Sequence, residues 1–283
     1  MPELPEVETV RRQLAPRLEG AELRDVRIHD PRWTRPQPPG VVEAGLLGRR
    51  VERLGRRGKY LIWELSDEGQ LLVHLRMTGA LLYDPVGEPP HARVHFDLGD
   101  RHRLVYVDAR RFGTGHFFED PAARDRYLAQ RIGVEPLTPE FTVEYLRRAA
   151  RGRRAPAKAF VLDQRNIAGV GNIYADEALH RAGIHPLRPA GRLTGAQLGR
   201  LRDAIEVVLL AGIDAKGATI DDFRHLDGTW GSFQDQFLVH RRQGEPCPTC
   251  GTPVRKLVVG GRGTYVCERC QPRPRARRAG GRA

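Results

Sequence analysis

At 283 residues the chain exceeds one ordinary domain and is long enough to bury a sizeable core. Forty-seven Lys and Arg against 35 Asp and Glu leave a formal charge of +12, which favours a polyanionic partner such as nucleic acid or an acidic membrane and argues against an acidic solubilising module. The longest apolar runs, such as residues 207–211, fall far short of a membrane span, the opening MPELPEVE is acidic where a secretory leader is basic and apolar, and the four Cys are confined to positions 247–270; the expectation is a protein of a reducing cytoplasm with no membrane partner.

A helix opens the chain, with Pro5 suited to its first position, Glu6 and Glu8 in the first turn, and Val7, Val10 and Leu14 repeating at helical spacing. From about residue 23 to 107 the pattern changes to alternation: Val26 and Ile28; Leu61, Trp63 and Leu65; Leu71, Val73 and Leu75; Val94, Phe96 and Leu98; Val105 and Val107. The clusters TRPQPPG and YDPVGEPP separate these runs, and short strands with turn signals predict an antiparallel sandwich or barrel. Around residues 120–137 the chain turns polar and broken at Pro121, Gly133 and Pro136, which places a domain boundary there; helical periods follow. The clearest later helix starts at Thr194, capped by its hydroxyl and answered by Gln197, with Leu198, Leu201, Ile205 and Val208 on one face. The last residues are rich in Arg and read as a disordered basic tail.

Three segments carry chemistry. Cys247, Cys250, Cys267 and Cys270 form CPTC, sixteen intervening residues, then CERC, a spacing that lets two tight turns close four thiolates around one structural Zn²⁺. Between the pairs, 254–259 and 264–266 predict a hairpin around GGRG, with Arg262 projecting at its tip toward a phosphate backbone or toward water alone. GVGN precedes a helical segment in which Ala175, Ala178, Leu179 and Ala182 share a face; it reads as an anion-binding turn involving Asn172, or as a plain connection. Finally, Pro2 follows the initiator Met. Removing Met1 leaves a secondary amine whose pKa of about 8 gives an appreciable neutral fraction, able to attack a sugar carbon, with Glu3 and Glu6 near that end to move protons. The alternative is a helix start decorated with acids.

The motifs MPELPEVETVRR, RRGKYLI, HLRMTG, DARRFG, GVGNIYADE and the Cys ribbon occur in that order, and over residues 1–271 the chain resembles the bacterial formamidopyrimidine-DNA glycosylases. The resemblance implies an α+β fold of two domains: an N-terminal antiparallel β-sandwich with an N-terminal helix (1–125), a linker (126–137), a helix-two-turns-helix DNA-binding domain (138–238) and a four-cysteine zinc finger (239–271), before the basic tail (272–283). It implies a monomeric, bifunctional glycosylase and AP lyase that excises oxidised purines from damaged double-stranded DNA and nicks by β,δ-elimination, with one zinc and no small-molecule cofactor. By position, Pro2 resembles the Schiff-base nucleophile, Glu3 the general acid and base, Glu6 a supporting acid, and Lys59 the active-site lysine on the phosphate beside the lesion. Lys158 resembles a second lysine near the damaged nucleotide; Met77, Arg110 and Phe112 resemble the wedge that fills the vacated stack; His91, Asn172 and Arg262 resemble phosphate contacts. The role of His74, in HLRMTG, is left open.

Two stretches depart from the family pattern. VHRR at 239–242 stands where VYGR is common, which puts the packing there in doubt, and 216–230, corresponding to the loop over the everted lesion, lacks the usual double glycine before Thr219. Two alternatives remain at this point: an endonuclease VIII-like enzyme for oxidised pyrimidines, disfavoured by LPEVE and RRF, and a lesion-binding protein without activity.

Overall fold

A computed structural model describes residues 2–219 and 231–274. Most of the expected lesion-covering stretch and most of the basic tail lie outside the described residues. The chain divides into two compact units, Met1–Ile132 with Ala211–Asp235, and Gly133–Leu210 with Gln236–Ala283.

The first unit opens with helix α1 (Leu4–Leu18), capped at Glu3 and carrying a proline in its first turn. It continues as β1 (Asp25–Ile28), α2 (Pro39–Leu46), β2 (Val51–Arg57), β3 (Tyr60–Leu65), β4 (Gln70–His74), β5 (Gly79–Tyr83), β6 (Ala92–Gly99), β7 (His102–Asp108), β8 (Thr114–Phe118) and α3 (Pro121–Ala129). The strands form two antiparallel four-stranded sheets, ordered β1-β6-β7-β5 and β2-β3-β4-β8. Alternation places Leu61, Trp63, Leu65, Leu71 and Val73 of one sheet and Val94, Phe96, Leu104 and Tyr106 of the other in a single apolar cluster. Val7, Val10, Leu14 and Leu18 of α1 join it. Each such fully buried side chain contributes about 1.5–3 kcal/mol of transfer free energy. The predicted sandwich is therefore present.

Where the alternation breaks, a second layer is responsible. All five residues of β4 are buried, because α3 packs on β4 and β8 and covers the face that a two-layer sandwich leaves wet. His74 ends this strand. Burial, with the charges of Arg76 and Lys59 nearby, depresses its pKa to about 3, while its Nδ1 accepts the Arg76 N–H at 3.0 Å. Glu8 is shifted in the same direction: burial would raise its pKa, but hydrogen bonds from Arg11 and Arg12 and the charge of Arg56 outweigh that and hold it at about 2.

Both groups make the fold acid-sensitive. Below pH 6.5 the unfolded chain protonates the His74 ring and the folded chain does not, so stability falls between pH 6.5 and about 3; the Glu8 contribution is complete above pH 4.5 and is lost toward pH 2. The unfolding free energy from urea titrations is expected to drop steadily from pH 7 to pH 4, by about 1.4 kcal/mol per pH unit for each differing proton. His74→Phe should flatten the upper part of that curve. An unchanged slope between pH 6.5 and 4.5 in that variant contradicts the assignment.

In the second unit, α4 (Val143–Ala150) and α5 (Ala157–Leu162) precede α6 (Asn172–Arg181). Helix α7 (Gly195–Asp214) follows, with its first sixteen residues in this unit. The Thr194 hydroxyl accepts the Gln197 N–H at 3.2 Å and the Gln197 side chain accepts the Thr194 N–H at 3.0 Å, the reciprocal cap expected from the sequence. Leu198, Leu201, Ile205 and Val208 are buried as predicted. Helix α6 is covered almost all round, and its Glu177 carboxylate accepts the backbone N–H groups of Leu238, Val239 and His240 at 2.8–3.0 Å. The VHRR departure is thus packed: Val239 and His240 are buried, and Arg242 reaches Glu245 and the Phe237 carbonyl. A hairpin of β9 (Arg255–Val259) and β10 (Arg262–Val266) completes the unit. No helix among the described residues is long and apolar enough to cross a membrane.

Candidate functional site

The start of α1 gathers the acids assigned to proton transfer. Glu3 and Glu6 close a reciprocal capping box, in which the Glu3 N–H donates to Glu6 Oε2 at 2.9 Å. Glu6 Oε1 accepts the Ala218 N–H at 2.7 Å, so its carboxylate is fixed from two directions. Gly217 turns with φ +82°, and a Cβ there would run into the Glu6 side chain; only glycine fits. Pro2 is buried, and Glu3 and Glu6 are 3% and 2% exposed. Lys59, also buried, sits between the left-handed Gly58 and the start of β3, close enough to His74 for its charge to act on that ring.

Met77, Arg110 and Phe112 come from two loops and meet at the surface. Met77 and Phe112 are 42% and 52% exposed, against the burial usual for such side chains. The Arg110 guanidinium lies 4.9 Å from the Phe112 ring centroid, and its Nη1 donates to Met77 Sδ at 3.2 Å. Asp108, 1% exposed, organises both loops: one carboxylate oxygen accepts the Thr78 hydroxyl and the Arg110 N–H, and the other accepts the Gly113 N–H at 2.8 Å and the Tyr106 hydroxyl at 3.4 Å. Its N–H and carbonyl bond the His91 carbonyl and Arg93, and the His91 side chain is exposed. Sequence reasoning missed Asp108 as an individual residue. The signal was an acid at the end of an apolar strand, in DARRFG, where a surface charge and a buried organiser read alike.

In the second unit, Gly260 and Gly261 both have positive φ and form a two-residue hairpin turn by themselves. Arg262 is therefore the first residue of β10, paired with Val259, and is exposed beside the turn instead of projecting from its tip. Asn172 begins α6 and donates from Nδ2 to the Gly263 carbonyl at 3.0 Å, which brings the two expected phosphate contacts to one place. Gly169 has φ +87°, but its N–H is taken by Gln164 Oε1 and does not face an incoming anion. Lys158, expected near the damaged nucleotide, has no exposed surface, and its ammonium donates to Asp176, the Gly263 carbonyl and Thr264 at 2.7–2.9 Å, so all three N–H groups are engaged inside the protein.

The four Cys sulfurs lie within 4.8 Å of one another, with 3.9 Å between Cys247 and Cys270 and 3.4 Å between Cys250 and Cys267. Tetrahedral Zn²⁺ with Zn–S bonds of about 2.3 Å needs sulfurs about 3.8 Å apart, so the donor set and its spacing fit. Burial raises the Cys267 and Cys270 thiols, while hydrogen bonds from Thr252 bring the Cys250 thiol down to about 6, so Cys250 is the first of these three to offer the thiolate that a metal requires. Four thiolates close the shell, and the cluster holds one structural zinc. Chelation is expected to release one zinc per chain and lower the thermal midpoint, with lost activity tracking lost DNA affinity. Turnover that vanishes at saturating DNA with affinity unchanged contradicts a structural metal.

Three family models cover the chain: the formamidopyrimidine-DNA glycosylase N-terminal domain at residues 1–115, the formamidopyrimidine-DNA glycosylase H2TH domain at 132–224, and a zinc finger found in FPG and IleRS at 244–273. Over 274 residues the chain is 46% identical to the formamidopyrimidine-DNA glycosylase of Methylococcus capsulatus, covering 96% of this chain and all of that one. Among solved structures it is similar to the MutM (Fpg) protein of Thermus thermophilus (TM-score 0.87, 42% identity, covering 97% of this chain and 100% of that one). It is also similar to Lactococcus lactis Fpg in complex with DNA containing an abasic site (TM-score 0.89, 34% identity, covering 96% and 100%). The chain belongs to the formamidopyrimidine-DNA glycosylase family, the base-excision-repair DNA glycosylases that also carry AP lyase activity.

Proposed function

We propose that this chain, acting as a monomer on the DNA of the bacterial cytoplasm, removes oxidised purines, chiefly 8-oxoguanine and formamidopyrimidines, through the freed Pro2 amine. The observation that carries the reading is the buried capping box, which fixes the residue next to Pro2 and sets two carboxyl groups at that end of the chain. The amine attacks C1′ of the everted nucleotide, Glu3 delivers a proton to the ring oxygen as the sugar opens, and the base leaves. The iminium acidifies the hydrogens at C2′, so the 3′ phosphate and then the 5′ phosphate are eliminated; water hydrolyses the linkage and restores the amine. Glu6 holds Glu3, and Lys59 contacts the phosphate beside the lesion.

Taking a base out of the stack leaves a gap that costs stacking energy. Met77 fills it, Arg110 pairs with the orphaned base and Phe112 stacks alongside; their shared exposure and mutual contacts support this assignment. His91, Asn172 and Arg262 bind backbone phosphates. Single-turnover cleavage of duplexes with 8-oxoguanine opposite cytosine is expected to outpace cleavage of duplexes with thymine glycol. Faster processing of thymine glycol reverses the choice of lesion, and binding without cleavage of either removes the enzymatic reading.

A further inference from the structure

The buried Lys158 is tied to Arg262 through a continuous set of hydrogen bonds. Its Nζ donates at 2.7 Å to Asp176 Oδ1, at 2.9 Å to the Gly263 carbonyl and at 2.8 Å to the Thr264 hydroxyl, and that hydroxyl donates at 3.0 Å to the Arg262 carbonyl. The Gly263 carbonyl is the same one that accepts Asn172 Nδ2. Behind the ammonium, His240 Nδ1 donates to the second oxygen of Asp176 at 2.8 Å, and the His240 ring meets Tyr265 of β10 edge-on at 5.0 Å. Lys158 and Asp176 are at most 1% exposed and His240 is 5% exposed. A buried ion pair is a poor source of net stability compared with apolar side chains of equal volume, and its best-attested use is to fix register. Here the register fixed is that of the first residues of β10.

We propose that His240, Asp176 and Lys158 are positioning residues that hold the Arg262 peptide in register with Asn172, so that the two side chains address the DNA backbone as one unit. This rests on the phosphate-contact reading of Asn172 and Arg262. It gives His240, which stands where the family pattern has tyrosine, a defined task, and it gives the buried Lys158 one that requires no contact with DNA. A lysine whose three N–H groups are consumed inside the protein transmits position, whereas an exposed lysine would supply charge.

The first readout needs no DNA. His240→Phe keeps a ring against Tyr265 and removes the donor to Asp176, while His240→Asn returns a donor near the place of Nδ1. Backbone amides of β10 are expected to exchange about tenfold faster in His240→Phe and to recover in His240→Asn. Unchanged exchange in the Phe variant overturns the proposal. The second readout is the affinity for a duplex with a stable abasic-site analogue across a salt series, in zinc-replete protein. Lys158→Met and Arg262→Ala should each weaken binding about tenfold and each make the slope of log Kd against log salt shallower by about one, and the double variant should be no weaker than Arg262→Ala. Additive losses, with the slope shallower by two, make Lys158 a phosphate contact in its own right and overturn the proposal. Should Lys158→Met fail to fold, Thr264→Val and His240→Phe enter the same cycle with Arg262→Ala. If Arg262→Ala alone leaves affinity and slope intact, the phosphate-contact reading falls, and amide exchange still judges the register separately.

Discussion

Pro2→Gly is expected to slow strand cleavage at an 8-oxoguanine site by at least roughly 10²-fold under single-turnover conditions. A glycine in that place still offers an α-amine with a pKa of about 8, so some imine chemistry survives. What it loses is the secondary amine, which forms the iminium directly, and the ring that pins the backbone ahead of the Glu3 cap. Because Glu3 and Glu6 hold each other through the capping box and Glu6 is also anchored by Ala218, the rest of α1 should keep its place, and the loss should fall on the chemical step more than on DNA affinity. The comparison requires mass spectra showing Met1 removed from both proteins. An undiminished rate in the glycine variant means that the proline ring has no part in the reaction.

Glu3→Gln should separate the two halves of the reaction. The amide keeps the size of the side chain and a carbonyl oxygen able to accept the hydrogen bond of the cap, so the helix start is retained. It cannot deliver the proton that sugar opening requires, and general acid catalysis typically contributes 10²–10⁴-fold. Release of 8-oxoguanine is therefore expected to fall by roughly that factor. Cleavage of a duplex that already contains an abasic site, where no base has to leave, should fall by less than about tenfold. Equal losses on both substrates would mean that Glu3 acts in elimination or only in folding.

The parts of the molecule legible in the sequence are those where one local rule decides the outcome. The alternation of β6, the Thr194–Gln197 cap and the spacing of the four Cys each carry their own physical reason, and each appears in the structure as expected. Lys158 shows where such reasoning stops. A lysine before a glycine-rich turn has the same sequence signature whether it faces DNA or an interior aspartate, and the decision rests with Asp176, Gly263 and Thr264, up to 106 residues away. Asp108 is similar, since the four hydrogen-bonding partners of its carboxylate come from two loops and a strand. Arg262 sits just past the tip expected of it because two glycines suffice for the turn. The continuous burial of β4 is hidden for a different reason: α3, which covers its outer face, lies 47 residues downstream of the end of the strand.

Borohydride reduction of the Met1-processed protein on a duplex bearing an abasic site, followed by mass-spectrometric mapping of the adduct, addresses the chemistry most directly. The reduced sugar is expected on the nitrogen of residue 2, at close to one adduct per trapped chain. A sugar found on Lys59 or another lysine, or no adduct from protein that still cuts the strand, would contradict an N-terminal amine as the nucleophile.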